Sequence, residues 1–107
     1  MRIGHLLEHA GNSEGESFQA LVDRPGVRVE RIVSSGMCPS PAGFWYEQAE
    51  AEWVMVVSGE ARLRFQDGER VVHLRPGEWV DIAPGEKHRV DWTLPEGVTV
   101  WLAVFYA

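Results

Sequence analysis

Apolar and polar residues alternate along much of this chain in short runs, and most runs end at a glycine turn. Ala61-Arg62-Leu63-Arg64-Phe65-Gln66 puts Ala61, Leu63 and Phe65 on one face and both arginines on the other, the period-two signature of a half-buried strand. Val27-Arg28-Val29-Glu30 repeats it, with valines on one side and charges on the other. Arg24-Pro25-Gly26, Ser58-Gly59-Glu60, Arg75-Pro76-Gly77, Ala83-Pro84-Gly85 and Leu94-Pro95-Glu96-Gly97 punctuate the runs. Asp67-Gly68 is the favoured two-residue hairpin loop, in which both positions take positive φ. The pattern predicts strands over 18–22, 27–33, 44–48, 53–57, 61–66, 71–74, 78–82, 88–93 and 98–106, with residues 34–43 a Gly/Pro/Ser loop. No stretch keeps a helical period. Many short strands at this spacing predict an all-β sandwich or barrel.

Two stretches depart from the alternation. Val98 to Tyr106 is apolar on both faces, so both must be covered, by the barrel, a second layer or a subunit partner. That requirement, with the hazard of an unpaired sheet edge, predicts a homodimer. Residues 1–17 are poorly patterned and predict a terminal arm, leaving 18–107 as one barrel domain. Within the arm, His5 and His9 lie one helical turn apart, a spacing that can bind metal. The turn is short, however, and stops at Gly11-Asn12.

Composition narrows the function classes. A chain of 107 residues supports one core. Ten Lys and Arg residues against sixteen Asp and Glu give a net charge of −6, which argues against nucleic acid as a partner. Five tryptophans suggest an aromatic-lined core or cavity. No apolar run reaches the length of a membrane span, and the first residues lack the pattern of a signal peptide. Cys38 is the sole cysteine, which excludes an internal disulfide and leads us to expect a cytoplasmic protein.

Two polar residues stand out as candidate chemistry: Glu52, at the start of the most apolar central strand, and His88, just after the last Pro-Gly turn. Strand alternation places Tyr46 and Gln48 on one face, with Glu52 in phase if the connection keeps register. It also groups His88, Val90 and Trp92, so pointing His88 inward sends Arg89 and Asp91 outward. The expected site is therefore Glu52 and His88 in a small-molecule cavity lined by Tyr46, Gln48 and Trp92.

Glu52 to Gly59, where a glutamate precedes a glycine by seven positions, resembles the end of the first cupin motif. Gly77-Glu78-Trp79-Val80-Asp81-Ile82-Ala83-Pro84-Gly85-Glu86-Lys87-His88 resembles the second. The resemblance implies a jelly-roll β-barrel, the double-stranded β-helix. It implies a divalent ion (zinc, manganese, iron or nickel) in some members, held by two motif-one histidines, the glutamate and the motif-two histidine. Here Tyr46 and Gln48 stand where those two histidines belong, Ala83 where the motif-two proline belongs, and Trp92 where asparagine is usual. A metal site would thus draw on His88, Glu52, Gln48 and Tyr46, helped by an inward-turned Glu47 or by His73. With metal, the resemblance implies an oxygenase, isomerase or decarboxylase with Glu52 and His88 catalytic. Without it, Glu52 and His88 form a buried hydrogen-bonded pair. The barrel is then a small-molecule binding module, an acid–base enzyme with His88 carrying the proton, or a structural or interaction protein without catalysis.

Overall fold

The structure, a computed structural model, describes residues 1–10 and 14–107. Eight strands carry it: β1 (Gly15–Arg24), β2 (Val27–Ser35), β3 (Ala51–Ser58), β4 (Ala61–Phe65), β5 (Arg70–Leu74), β6 (Trp79–Ile82), β7 (His88–Thr93) and β8 (Val98–Tyr106). They form a five-stranded sheet in the order β1-β2-β8-β3-β6 and a three-stranded sheet in the order β5-β4-β7. All pairings are antiparallel. No helix among the described residues is long and apolar enough to cross a membrane.

The two inner faces make the core. Val54, Val56, Trp101, Ala103 and Phe105 from the larger sheet meet Ala61, Leu63, Phe65 and Leu74 from the smaller. These are alternate residues of each strand, as period two requires. Burying a side chain such as Leu74 stabilises the fold by about 1.5–3 kcal/mol. The inner face of β8 is covered in this way. Its outer face, with Leu102, Val104 and Tyr106, remains half-exposed.

Four local expectations change. Residues 44–48 are not a strand: Tyr46 makes an isolated bridge with His88, and the Gln48 carbonyl accepts a single hydrogen bond from the Gly85 N–H. A Gly/Pro-rich approach through Pro41 and Gly43 leaves them no neighbouring strand along their length. Asp67-Gly68 is not a two-residue loop, because Phe65 pairs with Arg70 and four residues must close the turn. They do so as a short 3₁₀ turn, with positive φ at Gly68 and Glu69 rather than at Asp67. His5 and His9 are not stacked on a helix: residues 6–10 are turns, His5 Nδ1 accepts the Leu7 N–H, and His9 sits at positive φ. Gly11 and Asn12 lie outside the described residues. The arm is held from the sheet, since the Arg31 guanidinium donates to the carbonyls of Leu6 and Glu8. β1 itself starts at Gly15, three residues before the boundary expected at 17/18.

Candidate functional site

His88 enters β7 from the Pro84-Gly85 turn and is clamped by its neighbours. Its backbone exchanges two hydrogen bonds with Tyr46, at 2.7 and 3.0 Å. That bridge stacks the two rings, with centroids 5.7 Å apart at 25°, and Phe65 closes the other side at 6.0 Å. Nδ1 lies 2.9 Å from the Glu86 carbonyl oxygen. A carbonyl can only accept, so Nδ1 carries a proton and donates it there. Nε2 is thereby aimed at Glu52, whose Oε1 is 3.3 Å away. Glu52 also accepts a 2.9 Å hydrogen bond from the Gln48 amide nitrogen.

Both members of the pair are nearly dry, the His88 side chain 6% exposed and that of Glu52 12%. Burial drives the imidazole towards its neutral form, but the bond to Glu52, the Glu86 carbonyl and the two carboxylate charges outweigh it, and the His88 pKa is raised above 6.5. Nε2 is thus the ring nitrogen that gains or loses a proton, and it does so facing the Glu52 carboxylate. Tyr46 behaves oppositely as a potential ligand. Burial, with the charges of Glu16 and Glu52, pushes its phenol up, so it keeps its proton.

A cavity of about 100 Å³ runs into the barrel beside this pair. Its floor is made of buried residues, among them Trp101, Leu63 and Ile82, while Phe18 and Glu16 on β1 are exposed and frame the mouth. Glu52, His88, Tyr46 and Gln48 all line it. Trp92 does not. Asp91 is a bulge in β7, since Arg62 pairs with Trp92 but the next residue, Leu63, pairs with Val90. One extra residue reverses the alternation, so Thr93 turns inward and is fully buried while Trp92 turns outward. There it meets the Arg62 guanidinium at 4.8 Å and the His73 ring at 6.1 Å. His73 in turn pairs with Glu60 at 2.8 Å, on that same outer side, and Glu47 is exposed. The His88 side chain bonds to neither of them, its partners being Glu86 and Glu52.

Sequence reasoning missed Glu16, Phe18 and Glu30 as cavity residues. In β2 the charged side is the one that turns inward: Arg28, Glu30 and Ile32 share the barrel face, and Val27 and Val29 the outer one. Ile32, two residues on from Glu30, was the available signal.

The Cupin domain family model matches residues 41–105, more than half of the chain. This chain is a cupin. Among solved structures, a provisionally assigned mannose-6-phosphate isomerase from Ralstonia eutropha JMP134 is 39% identical, with 99% of this chain and 98% of that one covered at a TM-score of 0.93. A cupin superfamily protein from Desulfitobacterium hafniense DCB-2 is 15% identical over 88% of this chain and 80% of that one, at 0.74. The polyketide cyclase RemF from Streptomyces resistomycificus is 20% identical over 99% and 79%, at 0.76. These last two share the fold alone. No curated protein matches the chain.

Do the cupin's own residues fit the ion its family implies? Only one imidazole and one carboxylate converge, and among the described residues no group of three or more His, Cys, Asp or Glu side chains could hold an ion. The Tyr46 phenol is protonated, and Gln48 turns its amide nitrogen, not its oxygen, to Glu52. Two donors already engaged with each other do not fit a tightly held divalent ion.

Proposed function

We propose that this cupin binds a small molecule in its barrel cavity, with the His88–Glu52–Gln48 cluster as the polar anchor and without a tightly bound metal. The observation that carries the reading is the placement of His88 and Glu52, bonded to each other on the wall of a cavity that opens to solvent. Apolar walls with a few convergent polar groups are what small-molecule sites use for affinity and orientation. The cavity is far below the roughly 300–1,000 Å³ of drug-sized sites, so the ligand has few heavy atoms.

A proton-transfer reaction is the second reading, favoured by the isomerase assignment of the 39% identical relative. Here His88 would give or take a proton at Nε2 while Nδ1–H stays on the Glu86 carbonyl. A self-associated cupin belongs to the same proposal, a second copy covering the half-exposed outer face of the larger sheet. Screening fragments by ligand-observed NMR against the wild type and His88→Ala tests the binding reading. Hits competing for one site and lost in His88→Ala are expected. Hits that bind the variant equally well, or a stoichiometric divalent ion that survives dialysis against a weak chelator, would overturn it.

A further inference from the structure

We infer that the cavity selects a small organic monocation, an amine on a compact apolar body, with the Glu16 carboxylate as its counter-charge. The inference rests on the small-molecule reading of the same cavity. Three carboxylates line the space, those of Glu16, Glu30 and Glu52, and no lysine or arginine does. Two of the three are matched. Glu52 faces His88 at 3.3 Å, and Glu30 faces the Arg28 guanidinium at 3.2 Å. Arg28 is held in turn over the Phe105 ring, 4.2 Å from its centroid.

Glu16 has no such partner among the described residues. Its one side-chain hydrogen bond comes from the Ser34 hydroxyl at 3.2 Å. With Arg28 set against Glu30 and the His88 ring against Glu52, the carboxylate left without a basic neighbour is that of Glu16, at the mouth. The rest of the wall suits an apolar body: Phe18, Ile32, Leu63, Trp101 and Phe105. A monocation entering past Glu16 gains a charge-assisted hydrogen bond and buries its carbon chain against aromatic surface. A phosphate ester would bring negative charge to a space lined by three carboxylates, where the one nearby guanidinium, that of Arg28, is already engaged by Glu30, so a sugar phosphate is the wrong class of ligand for this chain.

Three probes of nearly equal size separate the possibilities: n-butylamine, 1-butanol and butyrate, titrated near neutral pH while the Trp101 indole and His88 ring signals are followed by NMR. The amine is expected to bind roughly tenfold or more tightly than the alcohol, as a charged hydrogen bond predicts, with butyrate weakest. In Glu16→Gln the amine-to-alcohol ratio falls to about one, and the thermal midpoint verifies that the variant is folded. Equal binding of amine and alcohol by the wild type, or an amine preference that survives in Glu16→Gln, would overturn the cation inference and leave the binding site standing. Failure of all three probes to move the cavity signals would overturn both.

Discussion

The imidazole of His88 is fixed from both ends, by the Glu86 carbonyl at 2.9 Å from Nδ1 and the Glu52 carboxylate at 3.3 Å from Nε2. A ring held this way has one tautomer available and one direction in which to move a proton. The backbone bridge to Tyr46 fixes where the ring sits, and these two contacts fix which way it faces.

The first prediction concerns pH. The folded-state pKa of His88 is raised above its ordinary 6.5. A raised pKa contributes stability that is fully present below the unfolded value and is lost as pH rises through the folded value. The wild type should therefore lose stability on the alkaline side of 6.5. Glu52→Gln removes the hydrogen bond and charge of Glu52 that raise the ring pKa, so the pKa falls and that alkaline loss of stability shrinks. The variant should also lose roughly 1–3 kcal/mol at the acid end of this range. Ring titration by NMR and urea unfolding at several pH values measure both. An unchanged His88 titration in the variant would show that the pair does not interact.

The bulge at Asp91 separates two tryptophans. Trp101 lies on the cavity floor and donates to the buried Ser34 hydroxyl at 3.1 Å. Trp101→Phe should cost about 1–3 kcal/mol, because that hydrogen bond is lost inside the core. Trp92→Ala, on the outer face, removes a stacking partner of Arg62 and should cost about 1 kcal/mol or less. It should leave ligand binding in the cavity unchanged. Chemical denaturation orders the two costs, and a reversed order would place Trp92 back in the core.

Much of this architecture was legible in the chain because period-two alternation and glycine turns are local. β4, β7 and β8 begin at the expected residues for that reason. The Glu52–His88 pair was legible too, since two inward-facing polar residues on apolar strands call for each other. Trp92 was not, because a bulge leaves no local mark: nothing in Val90-Asp91-Trp92-Thr93 says that β4 will skip a residue. Glu16 was hidden for a different reason. β1 is an edge strand whose role depends on its pairing with β2, a long-range fact, and its residues are mostly exposed. The Tyr46 bridge likewise depends on where β7 arrives.

Gly59, in the turn between β3 and β4, tests how tightly that corner is built. Its φ is +89°, and a Cβ there would meet the Val98 carbonyl oxygen at 2.6 Å and the Thr99 Cα at 2.7 Å. Those are backbone atoms, which cannot swing away. Gly77, at φ +86°, has open space around the same position. Gly77→Ala should cost only the conformational strain of about 1–2 kcal/mol. Gly59→Ala adds a clash with β8 and should cost at least about 3 kcal/mol in total. Equal thermal midpoints for the two variants would mean that the β8 end yields to the turn.

The outer face of the larger sheet yields the last prediction. Cross-strand register places Val29 beside Val104, Val104 beside Trp53, Leu102 beside Met55 and Met55 beside Trp79 on one continuous surface. Trp79 is 58% exposed, and the Trp53 ring packs against it at a tilt of 35°, 5.8 Å between centroids. Exposed apolar surface of this continuity marks an association site more often than a solvated wall. The flanks differ in sign, with Arg24 on β1 and Asp81 on β6. A two-fold axis parallel to the strands would set each flank against its opposite and the apolar stripe against itself, as an isologous interface requires. Light scattering at micromolar concentration should therefore give twice the 12.0 kDa chain mass. Val104→Glu, at a half-exposed position, should return the mass to one chain while the His88 ring signals stay in place. A wild type that runs as a monomer under these conditions would remove the dimer and leave the cavity chemistry untouched.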